Sequence, residues 1–140
     1  MYNTEVAPLR VVIDTSAVTA VLASEPERGA VVRATEGVEL VAPASVHWEV
    51  GNALSAILKR RRTTSEGIQR ALRAYATIPI RFVDVELDAA LAIAAEHDLY
   101  AYDAYLITCA LGQRLPLLTL DESQARAAVR AGVAIKEIPK

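Results

Sequence analysis

The sequence predicts an α/β fold: a mostly parallel sheet of about five short strands, covered by helices on both faces. Two observations lead to it. Short apolar runs alternate along the chain with longer stretches of helical periodicity, the order in which parallel strands are joined by crossover helices. Those runs carry apolar residues on both sides, as strands do when neither face of the sheet meets water.

In chain order, residues 9–13 form the first strand, a β-branched run suited to burial. A helix follows over about 16–23, and Ser24-Glu25-Pro26-Glu27 opens another reaching roughly residue 35. Residues 39–42 are a second strand. Ser45 is placed as the cap of a helix whose apolar positions are Val46, Val50, Ala53, Leu54, Ile57 and Leu58. Thr63-Thr64-Ser65-Glu66 starts the next helix, which ends before Pro79. Residues 81–83 are a third strand. Residues 86–98 and 101–113 are helical, the second with Leu106, Ile107, Ala110 and Leu111 on one face. Residues 117–120 form a fourth strand and 121–131 a final helix, with Asp121 and Gln124 at capping-box spacing. Residues 133–135 close the sheet.

The whole length, residues 1–140, is read as one domain, large enough to bury a core without staples. At 53% hydrophobic and 23% charged the chain is globular, not disordered. With one Phe and one Trp, the core falls to Ala, Val, Leu and Ile. Cys109 is the only cysteine, which excludes an internal disulfide and a Cys-rich zinc site. Its apolar surroundings over 106–111 predict a buried, inert thiol. Residues 1–8 carry Glu5 and no apolar centre, so they are not read as a signal peptide. No stretch approaches the ~20 apolar residues of a membrane span, and the expected location is cytoplasmic.

A net charge of −2 on its face argues against a nucleic-acid partner. The one dense basic cluster is Lys59-Arg60-Arg61-Arg62, with Arg70, Arg73 and Arg81 after it. It suits a helix C-terminus complementing its own dipole, and it also suits phosphate contacts. It decides nothing.

Four acids carry more. Asp14 directly follows the first strand and Asp121 directly follows the fourth. Both therefore stand at the carboxyl edge of the sheet, where open α/β folds bind ligands. Asp103 lies three, four, seven and eight residues before Leu106, Ile107, Ala110 and Leu111, so it heads the inward stripe of its helix. Glu49 flanks the stripe of its own helix, close to Asn52 and Ala53. Each acid also has a bland reading: Asp14, Asp103 and Asp121 as helix caps, Glu49 as a solvated side chain. Jointly they are harder to dismiss, because no Lys or Arg lies between Glu86 and Gln113 to pair with an inward acid. Four converging carboxylates cannot all ionise without a cation. A hard divalent ion with oxygen ligands resolves the conflict and supports hydrolysis at phosphorus.

The blocks Val12-Ile13-Asp14-Thr15-Ser16-Ala17 with Ser24-Glu25-Pro26-Glu27, Ala42-Pro43 with Glu49 and Asn52-Ala53-Leu54, Tyr102-Asp103-Ala104-Tyr105 with Ala110, and Leu117-Leu118-Thr119-Leu120-Asp121 follow one another along nearly the whole chain. Together they resemble the PIN-domain nucleases, and within them the VapC toxins of toxin–antitoxin pairs. The resemblance implies a three-layer α/β/α sandwich and a magnesium- or manganese-dependent endoribonuclease. It assigns the acidic quartet to Asp14, Glu49, Asp103 and Asp121, as metal ligands and catalytic groups. Ser16, Asn52 and Thr119 match its accessory polar positions. It further implies an antitoxin partner, an RNA substrate and a homodimer. One departure is Glu122, where relatives often carry a basic residue, which leaves open whether Glu122 shares the role of Asp121.

Other readings fare worse. An aspartyl-phosphate phosphatase needs a second Asp two residues after the nucleophile, where Ser16 stands, and a receiver domain needs a late Lys, absent between Lys59 and Lys136. A catalytically silent PIN-like RNA-binding or interaction module is the alternative from a different class. His47 and Trp48 fall outside the motifs. His47 is read as a helix-surface residue; Trp48, Tyr100, Tyr102 and Tyr105 suit packing or base stacking.

Overall fold

The computed structural model describes residues 9–139; the reading of residues 1–8 lies outside them. In chain order the strands are β1 (Arg10–Ile13), β2 (Glu39–Pro43), β3 (Ile80–Val83) and β4 (Leu117–Leu118). They pair in the order β3-β2-β1-β4, and every pairing is parallel. Seven helices flank this sheet among the described residues: α1 (Thr15–Leu22), α2 (Arg28–Ala34), α3 (Ser45–Lys59), α4 (Ser65–Ala76), α5 (Leu87–His97), α6 (Ala101–Gln113) and α7 (Glu122–Arg130). The result is the three-layer α/β/α sandwich.

The central strand explains the arrangement. Val11, Val12 and Ile13 are all buried, so β1 needs cover on both faces. Ile107 of α6, Val18 of α1 and Val46 and Val50 of α3 join Leu117 and Leu118 in one aliphatic core. Each such side chain contributes about 1.5–3 kcal/mol by leaving water. Cys109 lies in this core, and burial pushes its thiol up to about 11. The expected burial of this thiol is met.

Four details differ from the sequence reading. The sheet has four strands, not five. The stretch 133–135 contributes a single bridge, Ile135 to Leu117, closed by Leu117 N–H donating to Ala134 O and Lys136 N–H donating to Leu117 O, both at 2.9 Å. With β4 only two residues long, there is little strand left to pair. β4 itself stops at Leu118, because its partner β1 ends at Ile13, the residue paired with Leu118. Ser45 does not cap α3: Ala44 enters in helical geometry, and Ser45 Oγ is buried without a partner. Leu111 drifts off the inward face of α6 and is 38% exposed.

The basic run ends α3. Arg61 adopts a left-handed φ of 57°, its N–H donates to Leu58 O at 3.0 Å, and Arg62 N–H donates to Ile57 O at 3.2 Å. That double closure satisfies the last carbonyls of the helix. Among the described residues no helix is long and apolar enough to cross a membrane.

Candidate active site

The site begins where β1 stops. Asp14 keeps extended backbone after Ile13, and its side chain caps α1 by accepting from Ala17 N–H at 3.1 Å. The same oxygen, Oδ1, accepts from Ser16 Oγ at 2.6 Å, and Oδ2 accepts from Thr119 Oγ1. Only 4% of Asp14 is exposed. The two hydroxyls serve twice. Thr119 Oγ1 accepts from Asp121 N–H at 3.0 Å, and Ser16 Oγ accepts from Leu120 N–H at 2.9 Å. The end of β1 is thereby tied to the chain leaving β4, and Asp14 is held beside Asp121.

Asp121 caps α7, its Oδ1 accepting from Ser123 N–H at 2.9 Å and Gln124 N–H at 3.1 Å. This is half of the expected capping box. Gln124 does not reach back to the cap; it is 3% exposed and donates from Nε2 to the Asp103 carbonyl at 3.3 Å. That bond joins the first turn of α7 to the first turn of α6, where Asp103 sits half-buried. Glu49 comes from α3, also half-buried. Its Oε2 accepts from Thr15 Oγ1 at 3.3 Å, while Oε1 is buried with no hydrogen-bond partner.

The charges interact. Burial holds the Asp14, Glu49 and Asp103 carboxyls above the usual carboxylate range. The negative charge of Asp121 raises Asp14 and Asp103 further, and those of Asp14 and Asp103 raise Glu49. Hydrogen bonds from Ser16, Thr119 and Ala17 pull Asp14 the other way, as Thr15 does for Glu49. No Lys, Arg or His forms an ion pair with any of the four among the described residues. Nor do they close into a finished cage: among the described residues no three His, Cys, Asp or Glu groups are gathered as a metal's ligands.

The donor set nonetheless fits a hard divalent cation. All four groups offer oxygen, three are raised by burial and mutual repulsion, and Glu49 Oε1 is a buried acceptor with nothing to accept from. A positive ion there relieves each of these penalties.

The predicted accessory residues divide. Ser16 and Thr119 both bind Asp14. Asn52 is exposed and lines a cavity with Glu49 and Thr15. Glu122 is exposed and ion-paired with Arg126 at 3.9 Å, and the charge that raises Asp14 and Asp103 is that of Asp121. His47 is no ligand of this site; its Nδ1 lies 2.9 Å from the Tyr75 hydroxyl and its ring stacks on Tyr75. Thr15 and Gln124 were not singled out by sequence reasoning for these contacts. Thr15 had a signal, a hydroxyl inside the first motif; Gln124 gave only its capping position.

Comparison with known proteins agrees with this fold. The sequence model of the PIN domain family matches residues 11–130. No curated protein matches by sequence. Among solved structures, PAE2754 from Pyrobaculum aerophilum is similar, with a TM-score of 0.65 at 21% identity over 88% of this chain and 89% of that one. VapBC2 from Rickettsia felis, bound to a DNA fragment of its promoter, superposes with a TM-score of 0.63 at 12% identity over 92% and 98% of the two chains. A toxin–antitoxin complex from Klebsiella pneumoniae gives 0.56 at 17% identity over 81% and 88%. At these identities the likeness is one of fold. The family match is of sequence, it runs from β1 to the end of α7, and with it this chain belongs to the PIN domain family.

Proposed function

We propose that this chain is a magnesium- or manganese-dependent endoribonuclease, the toxin of a toxin–antitoxin pair, acting as one nuclease domain over residues 1–140. One observation carries the reading: four acids from four places in the sequence share one electrostatic neighbourhood at the carboxyl edge of the sheet, and among the described residues no Lys, Arg or His ion-pairs with them. That arrangement costs stability unless something positive binds. The family supports a hydrolase acting on nucleic acid, and two of the similar structures are toxin–antitoxin assemblies.

Asp14, Glu49, Asp103 and Asp121 would hold the ion. The chemistry that magnesium or manganese supplies is activation of water and neutralisation of charge at the phosphoryl group. The chain's own residues set the stage. Ser16, Thr119 and the Ala17 N–H fix the Asp14 carboxylate, so it cannot swing out of place. Thr15 orients Glu49 and leaves Oε1 free to accept. Gln124 ties the Asp103 backbone to the first turn of α7, the helix that Asp121 caps. By the same reading an antitoxin fills this cleft and offers a basic group to the acids, the toxin is a homodimer, and the pair resides in the cytoplasm.

Cleavage-site mapping on total RNA tests the proposal. Purified protein should cut at defined positions with magnesium present and leave the RNA intact in a chelator. Intact RNA under both conditions would instead support a catalytically silent binding module.

A further inference from the structure

Beside Glu49 the surface opens into a cavity of about 510 Å³ lined by Thr15, Trp48, Glu49, Asn52, Ala53 and Tyr102. Two large rings stand in its wall, Trp48 at 74% and Tyr102 at 58% exposure. Neither is consumed by the core. Trp48 meets His47 at a steep angle and Tyr102 meets Tyr105 at 89°, contacts that leave most of both rings open. Two exposed aromatics on one cavity wall need a reason, because both leave apolar surface in water.

The adjoining acids suggest one. A phosphodiester approaching Asp14, Glu49, Asp103 and Asp121 meets negative charge, and no Lys or Arg lines this cavity. Attraction for the flanking nucleotide must then come from something indifferent to charge, and stacking on an aromatic face is such a force. Asn52 adds an amide able both to donate and to accept, the complement of a base edge.

We propose that this cavity is a nucleobase subsite, in which Trp48 and Tyr102 stack an unpaired base of single-stranded RNA beside the phosphate held at the acids, with Asn52 against the base edge. The proposal rests on the nuclease reading for the position of that phosphate. Duplex RNA does not fit it, since paired bases present no open face.

Trp48 is the only tryptophan in the chain, beside five tyrosines, so fluorescence excited selectively at tryptophan reports this site. An Asp103→Asn chain should keep the RNA intact, and the Asp103 side chain is half-buried, not sealed in the core. Titrating a short single-stranded oligoribonucleotide into it should quench Trp48 emission, while the same strand made abasic, or a duplex of equal length, should not. Trp48→Ala, at a largely exposed position that should fold normally, should weaken anisotropy-detected binding of the labelled strand roughly 5- to 150-fold, and Trp48→Phe should recover much of it. Unquenched emission, quenching by the abasic strand, emission that follows protein concentration alone, or unchanged affinity in Trp48→Ala would each overturn the subsite. Such a result beside magnesium-dependent cleavage by the unaltered chain removes the subsite and leaves the nuclease. Base-dependent quenching without cleavage does the reverse.

Discussion

Replacing Thr119 by Val isolates the support given to the buried acid. The two side chains have nearly the same shape, so packing against the 7%-exposed Thr119 site is retained and only the hydroxyl is lost. That hydroxyl donates to Asp14 Oδ2 and accepts from Asp121 N–H at 3.0 Å. A hydrogen bond to a charged, buried acceptor contributes about 1.5–3 kcal/mol. The Asp121 N–H lies beside an exposed side chain and water can replace its partner, so it adds little. The expected cost is about 2–3 kcal/mol near pH 7.5, read as a fall in melting temperature of roughly 6–12 °C for a domain of this size. The sign of its pH dependence follows from Asp14. Burial already holds this carboxyl above its usual range, and the Thr119 bond lowers it, so the variant's Asp14 titrates higher still. The penalty is therefore largest at high pH, where Asp14 is charged in both proteins, and shrinks as pH falls through the raised range. Urea unfolding at several pH values measures it. A loss below about 0.5 kcal/mol at pH 7.5, or one equally large at every pH, would refute the assignment of Thr119 as a donor to a charged Asp14.

Three further outcomes are expected. Asp14, Glu49 and Asp103 all titrate above their ordinary range when folded, so between that range and the raised values the folded chain binds more protons than the unfolded one. Metal-free stability should fall as pH rises through that window, and magnesium should raise the melting temperature more at pH 7.5 than at pH 5; a metal-free chain that melts lower at pH 5 contradicts this. Asp14→Asn and Asp103→Asn should each abolish cleavage of RNA while circular dichroism stays native, and full activity in either variant removes that residue from the site. Cys109, with its thiol pushed up to about 11 in the core, holds only about one part in a thousand as thiolate at pH 8. Iodoacetamide should label it slowly until urea unfolds the chain; equal rates would show that it is not sealed.

Much of this was legible in the sequence because the informative residues act locally. A β-branched run such as Val11-Val12-Ile13 declares a buried strand by itself, and an acid placed straight after it must emerge at the strand's carboxyl end. Asp14 and Asp121 also turned out to satisfy their bland readings, since both cap helices. Capping and the proposed role at the site are compatible, as a cap spends only part of a carboxylate's accepting capacity. What escaped the sequence depends on pairs far apart in the chain. Nothing local says that Gln124 will abandon its cap for the carbonyl of Asp103, or that Thr15 will reach Glu49 across 34 positions. Periodicity gave Asp103 and Leu111 the same face of α6, yet the stripe rolls off the core by Leu111. Ser45 shows the converse failure: a good capping residue that went unused because the backbone enters α3 already helical.

The proposed chemistry requires divalent metal held jointly by Asp14, Glu49, Asp103 and Asp121. Titrating manganese into the metal-free protein and counting the free ion by electron paramagnetic resonance tests it without recourse to any RNA. The unaltered chain should withdraw manganese from solution, while Asp14→Asn, Asp103→Asn and Asp121→Asn should each lose most of that uptake with the fold preserved. If Asp14→Asn and Asp103→Asn bind manganese as the unaltered chain does, the acids do not form a common site.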